Sequence, residues 1–114
     1  MITLTDVQAA ARKYAHTRRR NPKDVVHGLV VNCQYTTADG RHCIAGQILS
    51  DLGVALPKHG SWDNTSSVHA LPLDTKLRFH GDALDWLSEV QYLADEGYEW
   101  WAAISAGNKA VRGR

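Results

Sequence analysis

The hydrophobic period changes along this chain, from helical to alternating and back to helical, and that order of periods limits the fold more than any other feature. At 100° per residue Val7, Ala11 and Tyr14 share one stripe, flanked by Ala10 and Ala15. Leu29, Val31, Cys33 and Tyr35 then alternate with Val30, Asn32, Gln34 and Thr36, the period-2 signature of a half-buried strand. Ile44, Ile48, Leu49 and Leu52 return to helical spacing, and Ala83, Leu87, Val90 and Ala94 repeat it further on. The expected class is therefore α+β. It is a small, helix-rich single domain over residues 1–114, with one β-hairpin between the first and second helices.

Local signals place the boundaries. Thr5-Asp6-Val7-Gln8 reads as a capping box that starts the first helix, and Asn21-Pro22 stops it, with fraying near Arg18, which falls on the apolar side. Thr37-Ala38-Asp39-Gly40 reads as a type I turn with Gly40 in the left-handed position, returning as a second strand over 41–44. A three-residue loop there sets Tyr35 opposite Cys43 with Cys33 diagonal on the same face. A two-residue loop at Asp39-Gly40 puts the cysteines on opposite faces, and the sequence leaves both open. Gly53 fits the position after the second helix. Gly46 inside that helix costs about 1 kcal/mol against Ala, which implies close packing against another element.

Residues 54–81, with Pro57, Gly60, Asp63-Asn64, Ser66-Ser67 and Pro72, read as a long loop holding one short helical turn. Two helices close the chain. The first runs from Asp82 to Glu96 and is broken by Gly97. The second carries Trp100, Trp101, Ala103 and Ile104 and fades at Gly107-Asn108 into a flexible basic tail, 107–114.

Cys33-x-Tyr35, Gly40-x-x-Cys43-Ile44-x-Gly46 and Leu52-Gly53, followed by Gln91…Asp95-x-Gly97…Trp101-x-Ala103, resemble a group of small uncharacterised proteins of actinobacteria and their phages. The resemblance covers most of the chain outside 54–81. It implies a small actinobacterial or phage accessory protein and brings no activity, cofactor or catalytic residue with it.

Composition narrows the context. Apolar residues make up 44% of the chain, with four Trp and four Tyr, enough for a core without metals or disulfides. Two cysteines, Cys33 and Cys43, are too few for a secreted disulfide scaffold and are expected as free thiols. The start, Met1 to Asp6, lacks a basic region followed by an apolar run, and no apolar stretch approaches the roughly 18 residues of a membrane span. A cytoplasmic location with no membrane partner is expected. The net charge of +1 conceals a segregated layout: Arg12, Lys13, Arg18, Arg19, Arg20 and Lys23 near the start, Asp82, Asp85, Glu89, Asp95, Glu96 and Glu99 later, and Lys109, Arg112 and Arg114 at the end.

The residues able to carry chemistry are few. Cys33 and Cys43 with His27 and His42 lack zinc spacing, and His42 and Cys43, being consecutive, point to opposite faces of a strand. No metal or other cofactor is expected. Cys43 precedes a helix, where the dipole can activate a thiol, but no base is placed beside it. The basic face Arg12, Lys13, Arg19 and Arg20, with His16, is suited to phosphates. On the later helix Asp82, Asp85, Glu89 and Glu96 form a stripe with Tyr92, rimmed by Trp86 and Leu93. Acids at the C-terminal end oppose the helix dipole, so the stripe reads as a surface kept for a basic partner. The sequence thus favours a non-enzymatic protein that binds a host or phage protein through Asp85, Trp86, Glu89, Tyr92, Leu93 and Glu96. Nucleic-acid binding through Arg12, Lys13, Arg19 and Arg20 ranks second, and an enzyme built on Cys43 third.

Overall fold

The computed structural model of the chain describes residues 1–26, 28–32, 35–37, 39–56, 68 and 71–112. The elements run α1 (Leu4–Ala11, tightening into a 3₁₀ turn at Arg12–Tyr14), β1 (Lys23–Val26), β2 (Leu29–Asn32), α2 (Ile44–Asp51), α3 (Leu73–Lys76), α4 (Gly81–Asp95) and α5 (Trp100–Arg112). The central element is α4, which packs against α1, α2 and, most extensively, α5. The four-residue link 96–99, with Gly97 at φ 103°, reverses the chain, and α5 runs back along α4 so that Trp86 meets Asn108 and Val90 meets Gly107. The radius of gyration, 13.2 Å, is that of one closely packed body, about 13 Å for this length.

The apolar stripes form the core as their spacing requires. Val7, Ala11 and Tyr14 are buried, as are Ile44, Ile48 and Leu49 on α2 and Ala83, Leu87, Val90 and Ala94 on α4. Trp86 and Trp100 are the largest side chains among them. Gly46 is packed hard against Tyr35, as the cost of a mid-helix glycine implies, and Gly53 ends α2 at φ 74°.

The ends of α1 differ from the sequence expectation. Its cap is Thr3, not Thr5: Thr3 Oγ1 accepts from the Asp6 N–H at 3.1 Å, and Asp6 Oδ2 accepts from the Thr3 N–H at 2.9 Å. Ile2 is pinned beside Phe79, donating to the Arg78 carbonyl at 2.7 Å and accepting from the His80 N–H at 2.9 Å, so the helix can begin two residues earlier. The helix also ends before Arg18. Tyr14 is drawn inward, its hydroxyl donating to Asp51 at 2.5 Å and its ring meeting Trp100 edge-on at 5.4 Å. Residues 17–20 then lie across the start of α5. There the Thr17 and Arg19 carbonyls accept from the Trp101 and Trp100 N–H groups, at 3.3 and 2.6 Å, filling valences a helix start leaves open.

The strand region is a second correction. The strands that pair are β1 and β2, antiparallel with Lys23 opposite Asn32 and Val26 opposite Leu29. Among the described residues the expected pairing of 29–36 with 41–44 is reduced to one bridge, Thr36 to His42. Its turn does follow the three-residue register: Gly40 donates to the Thr37 carbonyl at 3.0 Å with φ 87°, and the Cys43 N–H donates to the Tyr35 carbonyl at 3.2 Å. Tyr35 itself has φ 76°, a left-handed backbone that a strand cannot continue through. Leu29, expected to face the core, is 68% exposed. His27 and Cys33, and with Cys33 the expected diagonal cysteine pair, lie outside the described residues.

The helical turn expected within 54–81 is α3. The tail expected beyond Gly107 is instead helix as far as Arg112. Gly107 is buried where α5 crosses α4, and a Cβ there would sit 2.6 Å from Val90 Cγ2, so the glycine permits contact instead of breaking the helix. Among the described residues no helix is long and apolar enough to cross a membrane.

Candidate functional site

Of the four cations expected to form a basic face, three are engaged by the fold. Lys13 Nζ lies 3.1 Å from Asp51 Oδ2. The Arg19 guanidinium stacks over Trp100, 4.1 Å from the ring centre. Arg20 donates to the Gly97 carbonyl, and its other terminal nitrogen lies 3.2 Å from Glu99 Oε1. The face assumed in sequence required a continuous helix through Arg20, and the early end of α1 turns these side chains toward α2 and α5. Asp51 also holds the Tyr14 phenol, which burial and this carboxylate push up to about 12.

Arg12 behaves differently. With Gln8 and Ala15 it forms one wall of a groove of about 420 Å³, whose other wall is Ile104, Asn108 and Arg112 of α5. A second hollow of about 210 Å³, lined by Ala15, His16, Arg18 and Trp101, adjoins it at the shared Ala15. Among the described residues no carboxylate lines either hollow. The floor is a fixed polar joint: Asn108 Oδ1 accepts from Trp86 Nε1 at 2.9 Å and from Gln8 Nε2 at 3.0 Å. Arg112 Nε donates to the Asn108 carbonyl at 3.3 Å, which holds its stem along the helix. At the other end Trp101 is 46% exposed, and its Nε1 donates to Glu99 Oε2 at 2.8 Å. Trp101, Asn108 and Arg112 share one helical face at spacings of seven and four residues. That spacing was legible, but taking Gly107 as the helix end divided the face.

The acidic stripe is present on the outer side of α4. Asp82, Glu89, Tyr92 and Glu96 are exposed, and Asp85 and Leu93 are half-buried. Trp86 is corrected: it is 1% exposed, and its indole points into the joint with α5, so it cannot rim a docking face. Its wheel angle borders the stripe, but a ring this large follows the contact with α5. Asp95, beside the stripe at the C-terminal end of α4, is held in a network with Asn21 and Gln91. Among the described residues no cation lies within ion-pair distance of Glu89 or Glu96. Glu89→Lys is therefore expected to leave the melting temperature unchanged or slightly raised, by a few tenths of a kcal/mol from relieved repulsion. A clear loss in a thermal melt would mean that the stripe is neutralised within the fold.

Cys43 is fully buried and caps α2, its Sγ accepting from the Gly46 N–H at 3.4 Å. His42 turns elsewhere: its Nδ1 lies 2.9 Å from Thr36 Oγ1 and 3.3 Å from the Tyr35 carbonyl oxygen. Among the described residues no three His, Cys, Asp or Glu side chains converge as a metal-binding group. The chain matches no protein-family model, no curated protein and no solved structure.

Proposed function

We propose that this chain is a non-enzymatic accessory protein, cytoplasmic and of actinobacterial or phage origin, that binds nucleic acid through the groove between α1 and α5. The observation that carries the reading is that Arg12, His16, Arg18 and Arg112 line two adjoining hollows that share Ala15, with no carboxylate among the described lining residues and a half-exposed tryptophan in the second. Phosphate contacts supply charge neutralisation, and the aromatic ring supplies a surface for a base. The buried thiol of Cys43 supports a binding role over a cysteine-dependent reaction, because a capping sulfur with no exposed surface offers a substrate no approach.

The test is fluorescence polarisation with labelled oligonucleotides at two salt concentrations. Three arginine–phosphate contacts on a single strand imply a loss of roughly twentyfold between 50 and 200 mM salt. Arg12→Ala, Arg18→Ala and Arg112→Ala together should remove both the binding and its salt dependence. All three are exposed, so the variant should melt like the parent. Absence of binding at 50 mM salt, or binding that survives the triple variant, overturns the reading. So does binding of anionic vesicles without binding of oligonucleotides.

A second reading rests on α4. Tyr92, 59% exposed among Asp85, Glu89 and Glu96 with Leu93 at the edge, suits a basic protein partner. Charge there would steer association, and Tyr92 would act as the anchor.

A further inference from the structure

Resting on that nucleic-acid reading, we infer that the groove takes a single strand and not a duplex, with one base stacked on Trp101 and the backbone led along α5 to Arg112. The cations line concave surface, Arg12 and Arg112 in the groove between α1 and α5, and His16 and Arg18 in the hollow that adjoins it. Reading a duplex requires a helix or ribbon inserted into a groove about 12 Å wide, and neither α1 nor α5 presents its basic residues in that way. A strand whose bases are free can enter a recess.

Trp101 fits that task by contrast with its neighbours. Trp86 and Trp100 are 1% and 0% exposed, as structural tryptophans are, while Trp101 keeps 46% of its surface and lines the hollow beside Arg18 and His16. Its orientation is nonetheless fixed, by the Nε1 hydrogen bond to Glu99 and by the Trp101 N–H donating to the Thr17 carbonyl. A ring held at its edge is a stacking platform that needs little ordering when a base arrives. From Trp101 to Arg112 α5 rises about 16 Å, the length of a few nucleotides of one strand.

The floor adds a polar pair. The indole N–H of Trp86 can only donate, which fixes Asn108 Oδ1 as acceptor and therefore the Gln8 Nε2 group as donor. Asn108 Nδ2 and Gln8 Oε1 are left without protein partners among the described residues, one donor and one acceptor side by side on the groove. This is what the edge of a second, unpaired base requires.

The test compares fluorescein-labelled decathymidylate with a ten-base-pair duplex and with inorganic polyphosphate, using the parent, Trp101→Phe and Trp101→Ala. The single strand should bind at least tenfold more tightly than either competitor. Trp101→Ala should weaken it roughly ten- to hundredfold while leaving duplex and polyphosphate binding unchanged, and Trp101→Phe should retain most of the affinity. Retention by Phe with an unchanged melt separates loss of the platform from loss of the fold. Equal affinity for single strand and duplex, or indifference to Trp101→Ala, overturns the single-strand inference while leaving salt-dependent nucleic-acid binding intact. No binding to either nucleic acid overturns the underlying reading.

Discussion

Gly46→Ala is expected to destabilise the fold by about 3–5 kcal/mol, a large share of what a domain of this size possesses. A Cβ at Gly46 would stand 2.1 Å from the Tyr35 carbonyl oxygen and under 3 Å from the carbon atoms behind it, all of them backbone. Tyr35 cannot retreat. Its side chain is 1% exposed, its carbonyl accepts from the Cys43 N–H, and its φ of 76° already holds it in the left-handed region. Urea unfolding followed by circular dichroism measures the cost. Gly53→Ala is the comparison: Gly53 has φ 74° but open space around its Cβ position, so only backbone strain of about 1–2 kcal/mol applies. If the two variants unfold at the same urea concentration, the close approach of α2 to Tyr35 is wrong.

Gly46 also shows what the sequence could reveal. A glycine inside a helical stripe signals close packing, and the stripes themselves named Val7, Ala11, Ile44, Ile48, Leu49, Ala83, Leu87, Val90 and Ala94, all buried, because 3.6-residue periodicity is a direct imprint of one buried face. Gly40 and Gly53 were legible for the same kind of reason, since each sits where a left-handed backbone ends an element.

What stayed hidden depends on contacts between distant segments. Nothing local in Tyr14-Ala15-His16-Thr17 ends a helix; the phenol reaching Asp51 and the carbonyls of Thr17 and Arg19 meeting α5 do so. The same event decides which cations are held and which line the groove, so sequence alone assigned the basic face to Lys13, Arg19 and Arg20 beside Arg12. Gly107 carries the opposite lesson. A glycine near a helix end reads as a stop, yet here it admits Val90 and Trp86, and only the packed pair of helices distinguishes the two uses. Without that continuation, Trp101 and Arg112 could not be placed on one face.

Asn21→Leu is expected to cost about 3–5 kcal/mol, although Asn21 stands in a connecting segment with no periodicity to mark it. Its Oδ1 accepts from the Ile44 N–H at 2.8 Å and from Trp100 Nε1 at 2.9 Å, and its Nδ2 donates to Asp95 Oδ1 at 2.9 Å. The first three amides of α2 are thereby met from three places: Ile44 by Asn21, Ala45 by Gln91 Oε1 at 3.0 Å, and Gly46 by Cys43 Sγ. Leucine leaves the buried Ile44 N–H and the Trp100 indole without acceptors, each loss costing about 1–3 kcal/mol. Asn21→Asp distinguishes this from simple misfit. It keeps the acceptor oxygen but sets a second carboxylate against Asp95, so one of the pair has its folded pKa raised above its unfolded value. A group shifted in that direction contributes stability below its unfolded pKa and loses it as pH rises through the folded one. Asn21→Asp should therefore approach the parent in thermal melts at acidic pH and fall behind it at pH 7, whereas Asn21→Leu should remain destabilised at both. Melts of the aspartate variant that do not depend on pH would show that residue 21 does not face Asp95 as described.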